Sequence, residues 1–336
     1  MKVDTGIIEL LSDVPELARR GEEAGFDGLW SAETTYDPFF PLVLAAEHTE
    51  RVELGTSIAV AFARTPMTVA NVGWDLQNYS GGRFLLGLGS QVSAHITKRF
   101  SMPWSKPADR MREYVLALKA IWHSWETGDR LDFRGDFYSH TLMTPFFSPG
   151  PNPHGQPKIY ISAVNPLMTQ VAGEVCDGII LHGFTTERWV REVTIPNLQI
   201  GADRAGRDLS EIDVVSPAFI ATGATEEGLA AAVRGRREQV SFYGSTPAYR
   251  DVLDLHGWGE LSGELNALSK AGRWNDMIDA VPDEVLDAFA IVAEPTQVAS
   301  VLDARFGDVI DRVFVNADYA ADADTWRPVI DGISRL

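Results

Sequence analysis

The residues able to do chemistry lie in short stretches that each follow an apolar run. The first is Ser31-Ala32-Glu33-Thr34-Thr35-Tyr36-Asp37-Pro38. Glu33 closes an apolar segment, which makes it a candidate for ligand positioning or proton transfer; it reads equally as a cap for the helix that follows. Thr34 and Tyr36 bring hydroxyls beside it. Gly55-Thr56-Ser57-Ile58 offers small residues against which a flat ring could lie, or is simply buried strand. Gly87-Leu88-Gly89-Ser90, followed by Gln91, lacks the third glycine of a dinucleotide fingerprint, and close strand packing alone accounts for it. Ser162-Ala163-Val164-Asn165 leads into a helix whose first N–H groups lack internal partners, a ready anion site. Asn165 is equally a plain N-cap. His182 ends another apolar run and is the histidine best placed for a pocket, or a satisfied residue at the edge of the core.

Other chemistries find no support. His95 and His123 are isolated, and neither a His-Glu-x-x-His pair nor a paired-cysteine pattern occurs, so no metal site is expected. A Gly-x-Ser-x-Gly elbow and a Walker phosphate loop are also missing.

The elements that must position these residues alternate. Apolar runs at 3–8, 26–32, 52–62, 83–89, 158–163, 178–182, 212–221 and 312–316 read as strands. Helical patterns at 14–24, 39–47, 68–79, 109–127, 167–175 and 187–205 fall between them. This alternation predicts parallel pairing through right-handed crossovers. Eight such strands predict a closed TIM (β/α)8 barrel, with an open doubly wound sheet as the alternative. In a barrel the functional groups come from the C-terminal strand ends, which is where the stretches above fall.

Three segments exceed a minimal barrel: 91–108, 133–156 with a possible hairpin at 133–138, and a mostly helical excursion at about 223–310 between strands seven and eight. Trp258, Trp274, Leu261 and Leu265 of that excursion could pack as a lid. The chain reads as one elaborated domain, 1–336, with insertions.

The chain has 336 residues and a net charge of −18, which argues against nucleic-acid or anionic-membrane partners because their phosphates would be repelled. The only cysteine, Cys176, excludes an intrachain disulfide, reads as a packing residue, and is compatible with a reducing, cytoplasmic compartment. No signal peptide and no apolar stretch long enough for a membrane span is expected.

Several blocks in order resemble the luciferase-like family: Ala24-Gly25-Phe26-Asp27-Gly28-Leu29-Trp30, Leu54-Gly55-Thr56-Ser57-Ile58, Ser80-Gly81-Gly82-Arg83-Phe84-Leu85-Leu86-Gly87-Leu88-Gly89, Pro157 to Ala163, and Ala172 to Gly178. The resemblance implies a TIM barrel with insertions that uses reduced flavin mononucleotide (FMN) with dioxygen, or the deazaflavin coenzyme F420 for hydride transfer. Ser90 to Ile96, Lys98-Arg99-Phe100 and Met102-Pro103-Trp104 resemble the coenzyme F420-dependent oxidoreductase branch, with FMN-dependent monooxygenation as the alternative.

Carried onto this sequence, the resemblance implies a cis Ser57–Ile58 peptide behind the ring. It implies cofactor contacts at Ser57, Ile58, Ser90 and Gln91, and phosphate binding at Ser162, Ala163, Val164 and Asn165. Glu33 and Thr34 fall on the catalytic positions, with Tyr36, His182 and Trp258 expected in the pocket of a small-molecule substrate. A homo-oligomer, a dimer, is implied as well. There are departures: Glu33-Thr34 stands where the sugar-phosphate dehydrogenases of the family carry Asp-His, and Val92 stands at a glutamate position. A glucose-6-phosphate activity is therefore not expected. Val164-Asn165 replaces the usual Gly-Gly of the phosphate turn.

Overall fold

A computed structural model describes residues 1–7, 10–317 and 322–336. Ile8, the end of the expected first strand, lies outside the described residues. Local sequence explains the elements. The helix α1 (Val14–Ala24) buries Val14 and Ala18, while Glu16 pairs with Arg19 and Arg20 on its exposed face. Gly25 ends it at φ 95°, a left-handed conformation that costs glycine little. The helix α2 (Phe40–His48) has Pro41 in its first turn, and α3 (Pro66–Tyr79) is capped by the Thr65 hydroxyl.

The strands are β1 (Lys2–Gly6), β2 (Gly28–Ser31), β3 (Glu53–Thr56), β4 (Ala59–Val60), β5 (Phe84–Gly89), β6 (Phe133–Arg134), β7 (Ser139–His140), β8 (Lys158–Ser162), β9 (Gly178–Ile180), β10 (Asp213–Pro217), β11 (Phe219–Ala221), β12 (Ala290–Val292) and β13 (Arg312–Phe314). Their main order is β3-β2-β1-β13-β10-β9-β8-β5-β4, and a further β3–β5 pairing closes it. This is the parallel eight-stranded TIM barrel, with β4 an added strand on β5, and the open-sheet alternative falls.

The chain divides into two compact units. One holds Asp4–Ile180 and Asn197–Asp213. Trp30 and Tyr160 fill its core edge to face, with ring centroids 5.9 Å apart. Gly55 makes room for Trp30: a Cβ there would meet the indole at 2.4 Å. Trp74 packs on Trp122 and Trp125 beneath α4 (Pro107–Thr127). Full burial of such side chains contributes roughly 1.5–3 kcal/mol each. Arg83, within the Ser-Gly-Gly-Arg block, donates to the carbonyls of Ala46, Thr49 and Val52, so it neutralises the C-terminal end of α2. The helix α5 (Pro166–Val175) also belongs here, with Cys176 fully buried after it; burial pushes that thiol well up, as suits a packing residue.

The other unit holds Met1–Val3, Leu181–Pro196 and Val214–Leu336. Its β11 pairs in parallel with β12, outside the barrel order. Phe184, Phe219, Val240, Leu253, Leu265, Met277 and Phe289 form its core. They are brought together by α8 (Glu226–Gly244), α9 (Arg250–Leu255), α10 (Gly259–Lys270), α11 (Trp274–Asp279) and α12 (Asp283–Phe289). The helices α13 (Val298–Phe306) and α14 (Ala323–Ile333) follow.

The expected elements are present with informative differences. The long third strand is broken at Ser57–Ile58, and the seventh at Ala218, where its second half leaves for β12. The helix expected at 187–205 runs as α6 (Glu187–Trp189), a π turn over Val190–Thr194, and α7 (Ile195–Ala205). The hairpin's strands sit at 133–134 and 139–140, because Glu113 takes the N–H groups of Asp136, Phe137 and Tyr138. Among the described residues no helix is long and apolar enough to cross a membrane.

Candidate active site

Parallel strands deliver their C-terminal ends together. In the larger unit these ends are Glu33 after β2, Ser57 and Ile58 after β3, Ser90 after β5 and Ala163 after β8. The Ser57–Ile58 peptide is cis. A Cβ on Gly89 would lie 2.6 Å from Ile58 Cδ1 and 2.8 Å from Ser162 Oγ, so these three residues converge within the width of a methyl group. Gly87 is tighter still, facing the Thr56 carbonyl oxygen. A larger side chain at either position would collide with these groups, so close packing of the strands requires both glycines.

Glu33 is buried, its side chain 6% exposed. Its Oε2 accepts from the Val60 N–H at 2.7 Å and from Arg64 Nη1 at 2.6 Å. Both donors meet the same oxygen, so Oε2 is fully engaged. The Glu33 N–H donates to the Ile58 carbonyl at 3.2 Å, so side chain and backbone both grip the segment after β3. Arg64 reaches further: Nη2 bonds Asp37 at 2.9 Å, and its guanidinium lies over the Phe39 ring. Burial alone would depress the Arg64 pKa, but the two carboxylates outweigh it and hold it above its ordinary value. Thr34 and Tyr36 are exposed, and the Thr34 carbonyl accepts from Arg99 at 2.8 Å.

The connection after β5 is conformationally unusual. Gln91, Ser101 and Lys106 have φ of 57°, 55° and 36°, and residues 95–99 form a π turn. The Ser90 hydroxyl donates to the Gln91 carbonyl, and Gln91 takes the Val92 N–H. Arg110 holds the Pro103 carbonyl at 2.7 Å and lies over Phe62, on which Trp104 packs edge to face.

At the start of α5 the Asn165 side chain caps the Met168 N–H at 3.0 Å. Pro166 contributes no N–H. This helix start therefore offers an anion fewer donors than most, in keeping with the loss of the Gly-Gly turn.

The smaller unit places His182 and Trp258 differently. His182 Nδ1 accepts from the Phe184 N–H at 3.0 Å, leaving Nε2–H to face the Tyr249 hydroxyl at 3.2 Å. The ring stacks on Tyr249 and meets Tyr243 edge to face, and burial lowers its pKa to about 4. It is a neutral, hydrogen-bonded member of an aromatic cluster. Trp258 stacks on His256 with centroids 4.5 Å apart and packs against the same core. Both have the contacts of packing residues within their own unit.

Sequence reading does not pick out Arg64 or Arg110, and takes Arg99 only as part of a block that resembles the family branch. The signal was present: Arg64 is a lone charge in Ala59-Val60-Ala61-Phe62-Ala63-Arg64, right after a strand.

At the larger unit's strand ends, Gly87 and Gly89 let Thr56, Ile58 and Ser162 approach the β5 backbone closely. Ile58 and the Ser162 hydroxyl lie against Gly89, an apolar wall with a polar edge. The α5 start suits a phosphate tail less well than most helix starts, for the reasons given.

The luciferase-like monooxygenase family model matches residues 3–312. An uncharacterised Mycobacterium tuberculosis protein is 52% identical over 313 residues, 93% of this chain and 92% of its own. The 5,10-methylenetetrahydromethanopterin reductase of Archaeoglobus fulgidus is 28% identical over 286 residues, covering 82% and 81%. Among solved structures, the coenzyme F420-dependent tetrahydromethanopterin reductase of Methanopyrus kandleri superposes with a TM-score of 0.81 at 20% identity, over 99% of this chain and 98% of its own. A barrel with glycine-lined strand ends, matched by the family model over almost its whole length, belongs to the luciferase-like monooxygenase family.

Proposed function

We propose that the chain is a coenzyme F420-dependent oxidoreductase acting on a small organic substrate. The similarity to a methylenetetrahydromethanopterin reductase across four-fifths of the chain, taken with the fold shared with the coenzyme F420-dependent Methanopyrus reductase, carries this reading. Ser57, Ile58, Gly89, Ser90, Gln91 and Ser162 would hold the coenzyme, with Ala163, Val164 and Asn165 near its tail. When bound, the coenzyme supplies or accepts the hydride, while the protein orients it and excludes water. Glu33 positions the segment after β3, and any proton it holds for substrate goes through Oε1, because Oε2 is taken. Tyr36 and Thr34, exposed beside it, are the hydroxyls available to a substrate.

The second reading, an FMN-dependent monooxygenase using dioxygen, is supported by the family's description. A homodimer also belongs to the proposal. Phe40, Val43 and Tyr79 are exposed apolar side chains beside a cleft of about 620 Å³ between α2 and α3, a face suited to a second copy. Anaerobic incubation with reduced F420 and a panel of carbonyl and imine acceptors tests the function. The proposal expects acceptor-dependent oxidation of the coenzyme. Consumption of reduced FMN only in the presence of dioxygen, with an oxygenated product, supports the alternative instead.

A further inference from the structure

We propose that Arg64 is a positioning residue that locks the segment after β3 to the loop after β2 and thereby sets Glu33 for its ligand. This rests on the reading above that these strand ends face the coenzyme. The residue ties four groups at once. Its Nη1 donates to Glu33 Oε2 at 2.6 Å and lies 3.4 Å from the Val60 carbonyl. Its Nη2 donates to Asp37 at 2.9 Å, and its guanidinium covers the Phe39 ring at 5.5 Å. Asp37 is itself fixed, since its Oδ1 accepts the Phe39 N–H at 2.9 Å.

The planar fork explains why arginine serves here. Two nitrogens on one rigid plane meet two carboxylates on different parts of one loop, which a lysine ammonium cannot do in the same geometry. Glu33 would otherwise be a buried carboxylate held by one backbone N–H, free to turn away from Val60. With Arg64 in place, Oε2 is committed inward and Oε1 is the oxygen left for a ligand. Arg64 also lines the cleft between α2 and α3. It therefore spans from an outer surface to the strand-end carboxylate, and the loop Glu33–Phe39 and the segment Val60–Arg64 move as one body.

The test compares wild type with Arg64→Met, Arg64→Lys and Asp37→Asn. Hydrogen exchange at the Val60 amide is read in the coenzyme-free protein, and F420 affinity is read by titration. Arg64→Met should speed Val60 exchange at least about tenfold while core amides such as those of β5 keep wild-type rates, and should weaken F420 binding about tenfold or more. Arg64→Lys should recover part of both effects, and Asp37→Asn, which keeps the Glu33 pair, should show a smaller loss of each. Wild-type exchange at Val60 in Arg64→Met would overturn the proposal. So would faster exchange with unchanged F420 affinity, or loss of protection throughout the core in all three variants. If wild type binds no F420, the coenzyme reading fails, and the Val60 amide still decides whether Arg64 locks the segment.

Discussion

Glu33 in the larger unit and His182 in the smaller are both titratable side chains enclosed just past strand ends, and the two regions handle them in opposite ways. Glu33 is matched by a guanidinium and a backbone N–H, so its carboxyl group is held and aimed. His182 is wrapped by Tyr243 and Tyr249 and accepts the Phe184 N–H, so its charge is removed. A site that must steer a polar reaction keeps charges and supplies their counter-charges. A core that must only pack a polar ring neutralises it. The contrast favours Glu33 as the working group and His182 as a packing residue.

The largest expected effect comes from Glu33. Glu33→Ala strands Arg64 beside one remaining carboxylate, and because Arg64 still touches solvent the loss should be roughly 2–4 kcal/mol in denaturant unfolding. Glu33→Gln separates its roles. As a positioning group, it should show weakened coenzyme binding and single-turnover rates within a few-fold of wild type. A fall in rate of about 10²–10⁴ with binding intact would make it a proton relay instead.

His182 sharpens the other side. Its pKa is about 4 in the folded protein against an ordinary 6.5, so the unfolded chain takes up a proton that the folded protein resists. Its contribution is complete above pH 6.5 and is lost as pH falls toward 4, by up to about 1.4 kcal/mol per pH unit. His182→Phe should flatten the stability profile in that window relative to wild type. An identical slope in both proteins would mean that His182 is protonated without penalty and that the contrast with Glu33 is false.

The smallest effect should come from Asn165→Ala. Loss of its cap on Met168 should cost about 1 kcal/mol, read as a lower Tm, with coenzyme affinity changed little. A large loss of affinity with unchanged Tm would make Asn165 a ligand-binding side chain.

Much of the barrel was legible because its signals are local. Val14, Ala18 and Gly25 mark α1 by period and stop, and the apolar runs mark strand centres to within a few residues. What escaped depends on distant partners. Ala290–Val292 is three residues long and follows a helix directly; only β11 makes it a strand. The break at Ser57–Ile58 leaves no periodic trace and was foreseen from family resemblance alone. Glu33 could be picked out as a carboxylate ending an apolar run, but its partner Arg64 lies 31 residues on and is joined to it only by the parallel strands between. His182 looked like a pocket residue because its neighbours in sequence are apolar; the rings that enclose it come from α8 and the turn before α9.

The most direct measurement is a paired equilibrium titration of the protein with oxidised F420 and with FMN under identical conditions. The account predicts saturable, tight binding of F420 and weak binding of FMN, with the F420 affinity reduced in Arg64→Met. Tight FMN binding with no measurable F420 affinity would contradict it and assign the strand ends of the larger unit to a flavin.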